Sequence, residues 1–279
     1  SLELAYVNLK ARHNLNFTIG KQFVNFGGYE YYVNSIRVRE FSEFNNLLTA
    51  YQAGISGNWQ VNPDHELCFQ IVNNRNGNDE DIYPTGLPEG TAKAKIPFMY
   101  TVNWNSYYLD KALQLRYATA VGQQTRKRYS YYFTCGNTYE KGPLLTYLDV
   151  MYTRQGIDQH GVVSRLPGTP HSAMNTEYLS IIGDVDYRVH PQWNVYVKGA
   201  YETARVYKSN GDFRKGMYRR SWNAQSSVEF FPFKQLDLFV FVLYTYRGVI
   251  LEKAATRMGA IEPDTHRISL GLVYSIPVF

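Results

Sequence analysis

The residues best suited to chemistry stand in three clusters. His160 and His171 share the stretch GIDQHGVVSRLPGTPH with Ser164, the residue types of a nucleophile and its base. Asp79, Glu80 and Asp81 crowd into NRNGNDEDIYPTGLPEG (74–90), where clustered carboxylates attract a hard cation such as Ca²⁺. Arg37, Arg39, Glu40 and Glu43 put both signs of charge into one short segment, the arrangement that screens ions where a passage narrows. Plainer readings compete with the first two. The 6 histidines (His13, His65, His160, His171, His190 and His266) are dispersed, mostly over turns and loops. The acidic run lacks EF-hand spacing, and the chain has no G-x-S-x-G, H-E-x-x-H, P-loop or Cys-x-x-Cys motif. Solvated loops account for both clusters, so neither catalysis nor a resident metal or cofactor is expected. The third cluster depends on what holds it.

That scaffold is legible in a period-two alternation, which marks strands with two unlike faces. In Trp193 to Glu202, the residues Trp193, Val195, Val197, Gly199 and Tyr201 fall on one side. Asn194, Tyr196, Lys198, Ala200 and Glu202 fall on the other. Leu179 to Val189, Trp222 to Phe230 and Leu113 to Val121 repeat the rule. About thirteen such segments occur, each roughly ten residues long, enough to cross a bilayer when tilted. They run over 2–10, 15–24, 47–61, 66–74, 98–108, 112–122, 129–140, 144–156, 177–189, 193–206, 218–231, 236–248 and 266–278. No convincing helix lies between them. The longest clearly apolar stretch, Leu238 to Tyr244, is far too short for a transmembrane helix.

The connections alternate in length. Short ones span 11–14, 62–65, 109–111, 141–143, 190–192 and 232–235; long ones span 25–46, 75–97, 123–128, 157–176, 207–217 and 249–265. Outer-membrane barrels show this asymmetry, with tight periplasmic turns and longer external loops. Aromatics gather at the short-turn ends: Trp59, Tyr107, Tyr108, Tyr187, Trp193, Phe230, Phe231 and Phe233. Rings at one end of successive strands form a girdle at a membrane interface. The reading is therefore all-β, one transmembrane antiparallel β-barrel domain over 1–279, in the bacterial outer membrane.

Composition agrees. Aromatics are 16% and charged residues 19%, a mixture unlike that of helical membrane proteins or disordered chains. The formal charge of +5 and the single dense basic run, Arg126 to Arg128, give little support for nucleic-acid binding. That run sits at an external rim, where lipopolysaccharide phosphates are available. Cys68 and Cys135 lie in different strand segments and read as unpaired small side chains. Polar faces of most strands imply a water-filled lumen for small hydrophilic solutes or ions. The expected wall carries Arg116, Asp184, Asp186, Arg188, Lys198 and Glu202, together with Glu66, Asp149, Glu229, Asp237, Arg247 and Arg267, opposite charges pairing across strands. The alternatives are a structural or adhesive barrel in a larger envelope complex, and a fragment of an active transporter with an upstream plug. Small outward residues (Gly199, Ala224 and Ser226) suggest close approach between copies.

No leader precedes the first segment, which suggests a processed or incomplete N-terminus, and the last segment, ending IPVF, reads as a closing strand with a disturbance at Pro277. Thirteen strands cannot form the usual even bacterial barrel. The stretch AYVNLK (5–10), a tight turn, a strand ending GKQ, then FGGYEY and SEFNN resemble the phosphate-selective porin O and P family. The likeness continues weakly to IPVF. It implies a sixteen-stranded porin, often trimeric, with three strands preceding this chain. It also implies that the connection over 25–46 is the third external loop, which commonly enters the lumen of such porins. Arg37, Arg39, Glu40 and Glu43 would then form the constriction. The sequence leaves inward and outward directions of this loop equally open, and the mixed charges of the wall argue against phosphate selectivity.

Overall fold

The structure is a computed structural model that describes residues 3–33, 38–46, 48–75, 82–83, 85–166, 169, 171–211 and 213–275. Among these, thirteen strands form one antiparallel sheet in chain order. They are β1 (Ala5–Arg12), β2 (Leu15–Phe23), β3 (Tyr51–Asn62), β4 (His65–Asn73), β5 (Phe98–Tyr108), β6 (Leu113–Thr125) and β7 (Arg128–Lys141). The series continues with β8 (Leu144–Ile157), β9 (Met174–His190), β10 (Trp193–Val206), β11 (Gly216–Phe230), β12 (Leu238–Leu251) and β13 (Thr265–Tyr274). Two single-turn helices, α1 (Glu43–Asn46) and α2 (Lys253–Thr256), lie in external connections. No described helix is long and apolar enough to cross a membrane, so crossing falls to the strands.

Alternation fixes which side faces lipid. Along β10, Val197 is exposed while its neighbours Tyr196 and Lys198 are buried. The same parity exposes Trp222, Val228, Val242, Tyr244 and Leu270 and buries Ser221, Gln225, Ser227 and Thr245. The exterior is apolar and the interior polar, the inverse of a soluble sheet. Trp59, Tyr108, Tyr187, Trp193 and Phe233 are exposed on the outside near the short turns. Phe231 departs from this girdle. It turns inward, under the Arg188 guanidinium at 3.7 Å and beside Phe239.

One connection also departs from the expected asymmetry. Only Arg126 and Lys127 separate β6 from β7, with Thr125 paired to Arg128, so the segment over 123–128 is a tight hairpin. The alternating pattern continues through Gln123 and Gln124, and the ladder follows it. Strands β9 and β12 likewise extend several residues above the expected ends on the external side.

The sheet must curl. Phe44 packs edge-on against Tyr132 of β7, while its neighbour Glu43 bonds Arg219 of β11 and Arg247 of β12. In a flat sheet β7 and β12 would lie roughly 24 Å apart, at about 4.8 Å per strand. Adjacent residues are only about 3.8 Å apart. The wall therefore wraps round the β2–β3 connection, and among the described residues β1 and β13 are its free edges.

Candidate pore constriction

The β2–β3 connection leaves and returns through one backbone bond, from Val24 N–H to the Ala50 carbonyl at 2.9 Å. Its described residues between these two lie inside the lumen. Its first leg passes so close to β7 that a Cβ on Gly136 would meet the Gly28 Cα at 2.6 Å. Gly28 itself has φ +82°, in the left-handed region that glycine tolerates. This turn aims two consecutive N–H groups, those of Tyr29 and Glu30, at the Asp149 carboxylate on β8, at 2.8 Å to Oδ2.

The second anchor is an ion pair without access to water. The Glu30 and Lys198 side chains are 0% and 1% exposed and bonded to each other. Lys198 Nζ also donates to the Glu40 carbonyl at 2.7 Å, and Glu30 accepts from Ser42 N–H and Oγ and from Asn45 Nδ2. A buried ion pair persists only when hydrogen bonds satisfy the remaining polar positions, which is the case here.

A third anchor serves α1. The N–H groups of Glu43 and Phe44 have no partner within the helix and donate to the Glu202 carboxylate of β10, each at 3.2 Å. Glu202 also accepts from Ser180 Oγ at 2.8 Å. The Glu43 carboxylate then reaches the far wall, accepting from Arg219 at 2.5 Å and Arg247 at 3.0 Å. Arg219 bonds Glu262 of the β12–β13 connection as well. Arg39 pairs with Glu229 of β11 and lies over the Phe239 and Phe241 rings, and Glu40 pairs with Arg267 of β13. Between anchors, Phe26, Tyr31 and Phe44 pack with Tyr132, Tyr147, Met151 and Ile182, so the main apolar cluster of the interior joins loop to wall.

Of the four residues expected at a constriction, Arg39, Glu40 and Glu43 each pair with the lumen wall; Arg37 lies outside the described residues, as do Asp79, Glu80, Asp81 and Pro277. The expected wall residues face inward but are not gathered into one site. Arg116 covers the Tyr32 ring at 4.9 Å, Asp186 accepts from Asn194 at 2.7 Å, and Asp184 is buried nearby. On the lumen face the expected cross-strand charge pairing gives way to pairing between wall and loop, whereas Glu177, of outward parity, does pair across strands with Arg205 at 3.4 Å. Arg219 is a site residue the sequence reading missed. Counting parity from exposed Trp222 would have found it. Cys68 and Cys135 are free thiols.

Two cavities flank the loop. On the periplasmic side, about 570 Å³ is lined by Arg39, Asp186, Arg188, Asn194, Glu229 and Asp237 among others. On the external side a smaller one lies between the loop and the β8–β9 connection. In that connection the nucleophile–base pairing does not form. Ser164 Oγ donates to Asp158 at 2.7 Å, whereas His160 Nδ1 meets Gln155 Nε2 at 3.3 Å. Burial against Phe44 and Tyr178 pulls the His160 pKa down to about 3.

An apolar exterior, a polar lumen and an inward loop define an outer-membrane channel fold. The sequence profile of the family "Phosphate-selective porin O and P" matches residues 1–276, and the chain belongs to that family; it is a porin of the bacterial outer membrane. No curated protein matches it. Solved structures of similar fold include the outer membrane channel DcaP of Acinetobacter baumannii, with TM-score 0.59, 11% identity, and 93% of this chain aligned to 71% of that one. OmpT of Vibrio cholerae in a trimer form has TM-score 0.54 and 12% identity, covering 98% of this chain and 78% of that one. OccK8 (OprE) of Pseudomonas aeruginosa has TM-score 0.51 and 13% identity, covering 98% and 71%.

Proposed function

We propose that the chain is a single-domain, non-enzymatic diffusion channel for small hydrophilic solutes and ions, whose narrowest section is set by the β2–β3 connection. The observation that carries this reading is the position of Arg39, Glu40 and Glu43, held inside the lumen by Glu229, Arg267, Arg219 and Arg247. Because these fixed charges cancel in pairs, local selectivity is weak, and the overall +5 balance leaves a slight anion preference. In planar bilayers the protein conducts, and a salt gradient gives a small reversal potential of anionic sign. Arg39→Glu moves that potential toward cations. A folded barrel that does not conduct overturns the channel reading, and an unchanged potential removes Arg39 from the conduction path.

OmpT has been solved as a trimer, and the small outward residues Gly199 and Ala224 support a homotrimer here. Cross-linking in detergent that gives only monomer counts against it. Exposed Arg126 and Lys127 at the external β6–β7 turn suit lipopolysaccharide phosphates. The aromatic cluster between loop and wall favours a second reading, a plugged structural or adhesive barrel within an envelope complex. Copurification of a stoichiometric partner with a non-conducting pore selects it.

A further inference from the structure

The external cavity is built differently from the charged constriction beneath it. It measures about 250 Å³, and its polar lining is Asn46, Thr49, Gln52, Asn74, Gln159, His160 and Arg165. Phe26, Leu48, Ile82, Met99 and Tyr132 supply its apolar surface. Among the described residues no carboxylate lines it, and Arg165 is the one formal charge. Two of the polar groups are deeply buried with hydrogen-bonding capacity left over. Among the described residues neither Oε1 nor Nε2 of Gln52, 3% exposed, has a partner, and neither does Nε2 of His160, 2% exposed.

The protonation of His160 follows from its neighbour. Gln155 Oε1 accepts from the N–H groups of Gln159 and His160, at 2.8 and 3.3 Å. The other end of that amide, Nε2, therefore faces His160 Nδ1 and donates to it. A neutral imidazole with Nδ1 accepting carries its proton on Nε2. The two buried, unpartnered side chains thus offer two donors, His160 Nε2–H and the Gln52 amide NH2, and one acceptor, Gln52 Oε1. An anion brings acceptors only and leaves Gln52 Oε1 unmet, and a cation finds no carboxylate among the described residues. A hydroxyl donates and accepts at once, and vicinal hydroxyls match an amide in both senses. Tyr132 and Phe26 add ring surface for the C–H face of such a molecule.

We propose that this cavity is a binding subsite for a small neutral polyhydroxylated solute of monosaccharide size, recognised by Gln52 and His160. Its use in uptake rests on the channel reading, but its existence does not, because binding is measured without conduction.

The test is saturation-transfer NMR on the full chain in detergent, with D-glucose as the neutral cyclic probe and D-gluconate as an acyclic polyhydroxylated probe that carries a carboxylate. Expected is saturable glucose binding, with gluconate weaker. Gln52→Met keeps the side-chain volume and weakens glucose about fivefold or more, as does His160→Phe. A chain that retains the heat-shifted gel migration of the wild type has folded, and Gln52→Glu, which keeps shape and swaps the donor for charge, serves where Gln52→Met does not fold. Gluconate binding tighter than glucose overturns the proposal in favour of an anion site on Arg165. Non-saturable glucose, or equal glucose affinity in the variants, overturns it outright. Conduction with no glucose binding removes the subsite and leaves the channel; binding with no conduction does the reverse.

Discussion

The lumen wall has two halves that do different work. On β2–β5 the deeply buried inward side chains are neutral: Gln22, Gln52, Ser56, Gln70, Thr101 and Asn103. Ser56 Oγ and Gln70 Nε2 both donate to Gln22 Oε1, at 2.6 and 3.1 Å, so this half largely bonds to itself. On β8–β13 neutral side chains are joined by inward charges, Asp149, Lys198, Glu202, Arg219, Glu229, Arg247 and Arg267, and the partners of these charges lie on the loop. The charged half fixes the loop; the amide half borders the open external cavity. Charge is spent where position matters, because a buried ion without its partner is far costlier than an unmet amide.

The sharpest way to break this contrast is Lys198→Met. It leaves the Glu30 carboxylate buried without its cation and costs about 3–5 kcal/mol, with the loop becoming cleavable by protease. An unchanged thermal midpoint in detergent removes the pair from the account. Next is acidification. His160 bridges the loop helix and the β8–β9 connection in its neutral form, and its pKa falls from about 6.5 unfolded to about 3 folded. That stability is fully present above pH 6.5 and declines by about 1.4 kcal/mol per unit as pH falls toward 3. Hydrogen exchange over 158–173 should rise across that window in the wild type and stay nearly flat in His160→Gln; parallel profiles refute the role.

Smaller effects sharpen the comparison. Gly28→Ala forces a side chain into φ +82° and within 3.3 Å of Asp149 Oδ2, a loss of about 1–2 kcal/mol that loosens the first anchor. Its signature is a larger single-channel conductance, and an unaltered conductance places the anchor outside the narrow section. Ser56→Ala, on the amide half, removes one donor from an amide that keeps another and costs only about 1 kcal/mol. If it matches Lys198→Met in its effect, the two halves are not distinct.

The strands were readable because alternation is local: thirteen segments and their faces follow from parity alone. The β6–β7 turn was obscured because Arg126 and Lys127 carry no glycine, proline or asparagine to mark it. The loop's direction was hidden for a different reason. Its charges find partners on strands that only curvature brings near, and parity places Glu202 and Asp149 inward without saying that each would accept two loop N–H groups. Expecting charges to pair across neighbouring strands ignored the loop as a third surface.

The same separation governs assembly. The Tyr29 bond to Asp149 spans 120 positions, and the Glu40 pair with Arg267 spans 227. Closing such distances is slow, and the contacts give nothing until the distant strands are in place. Glu30, Glu40 and Glu43 must therefore wait in water through most of barrel formation, their charge and that of Arg37 and Arg39 keeping the segment soluble. Locking of the loop is then a late event in biogenesis, and a sheet arrested before β8–β12 are in place would leave the passage wide and ungated.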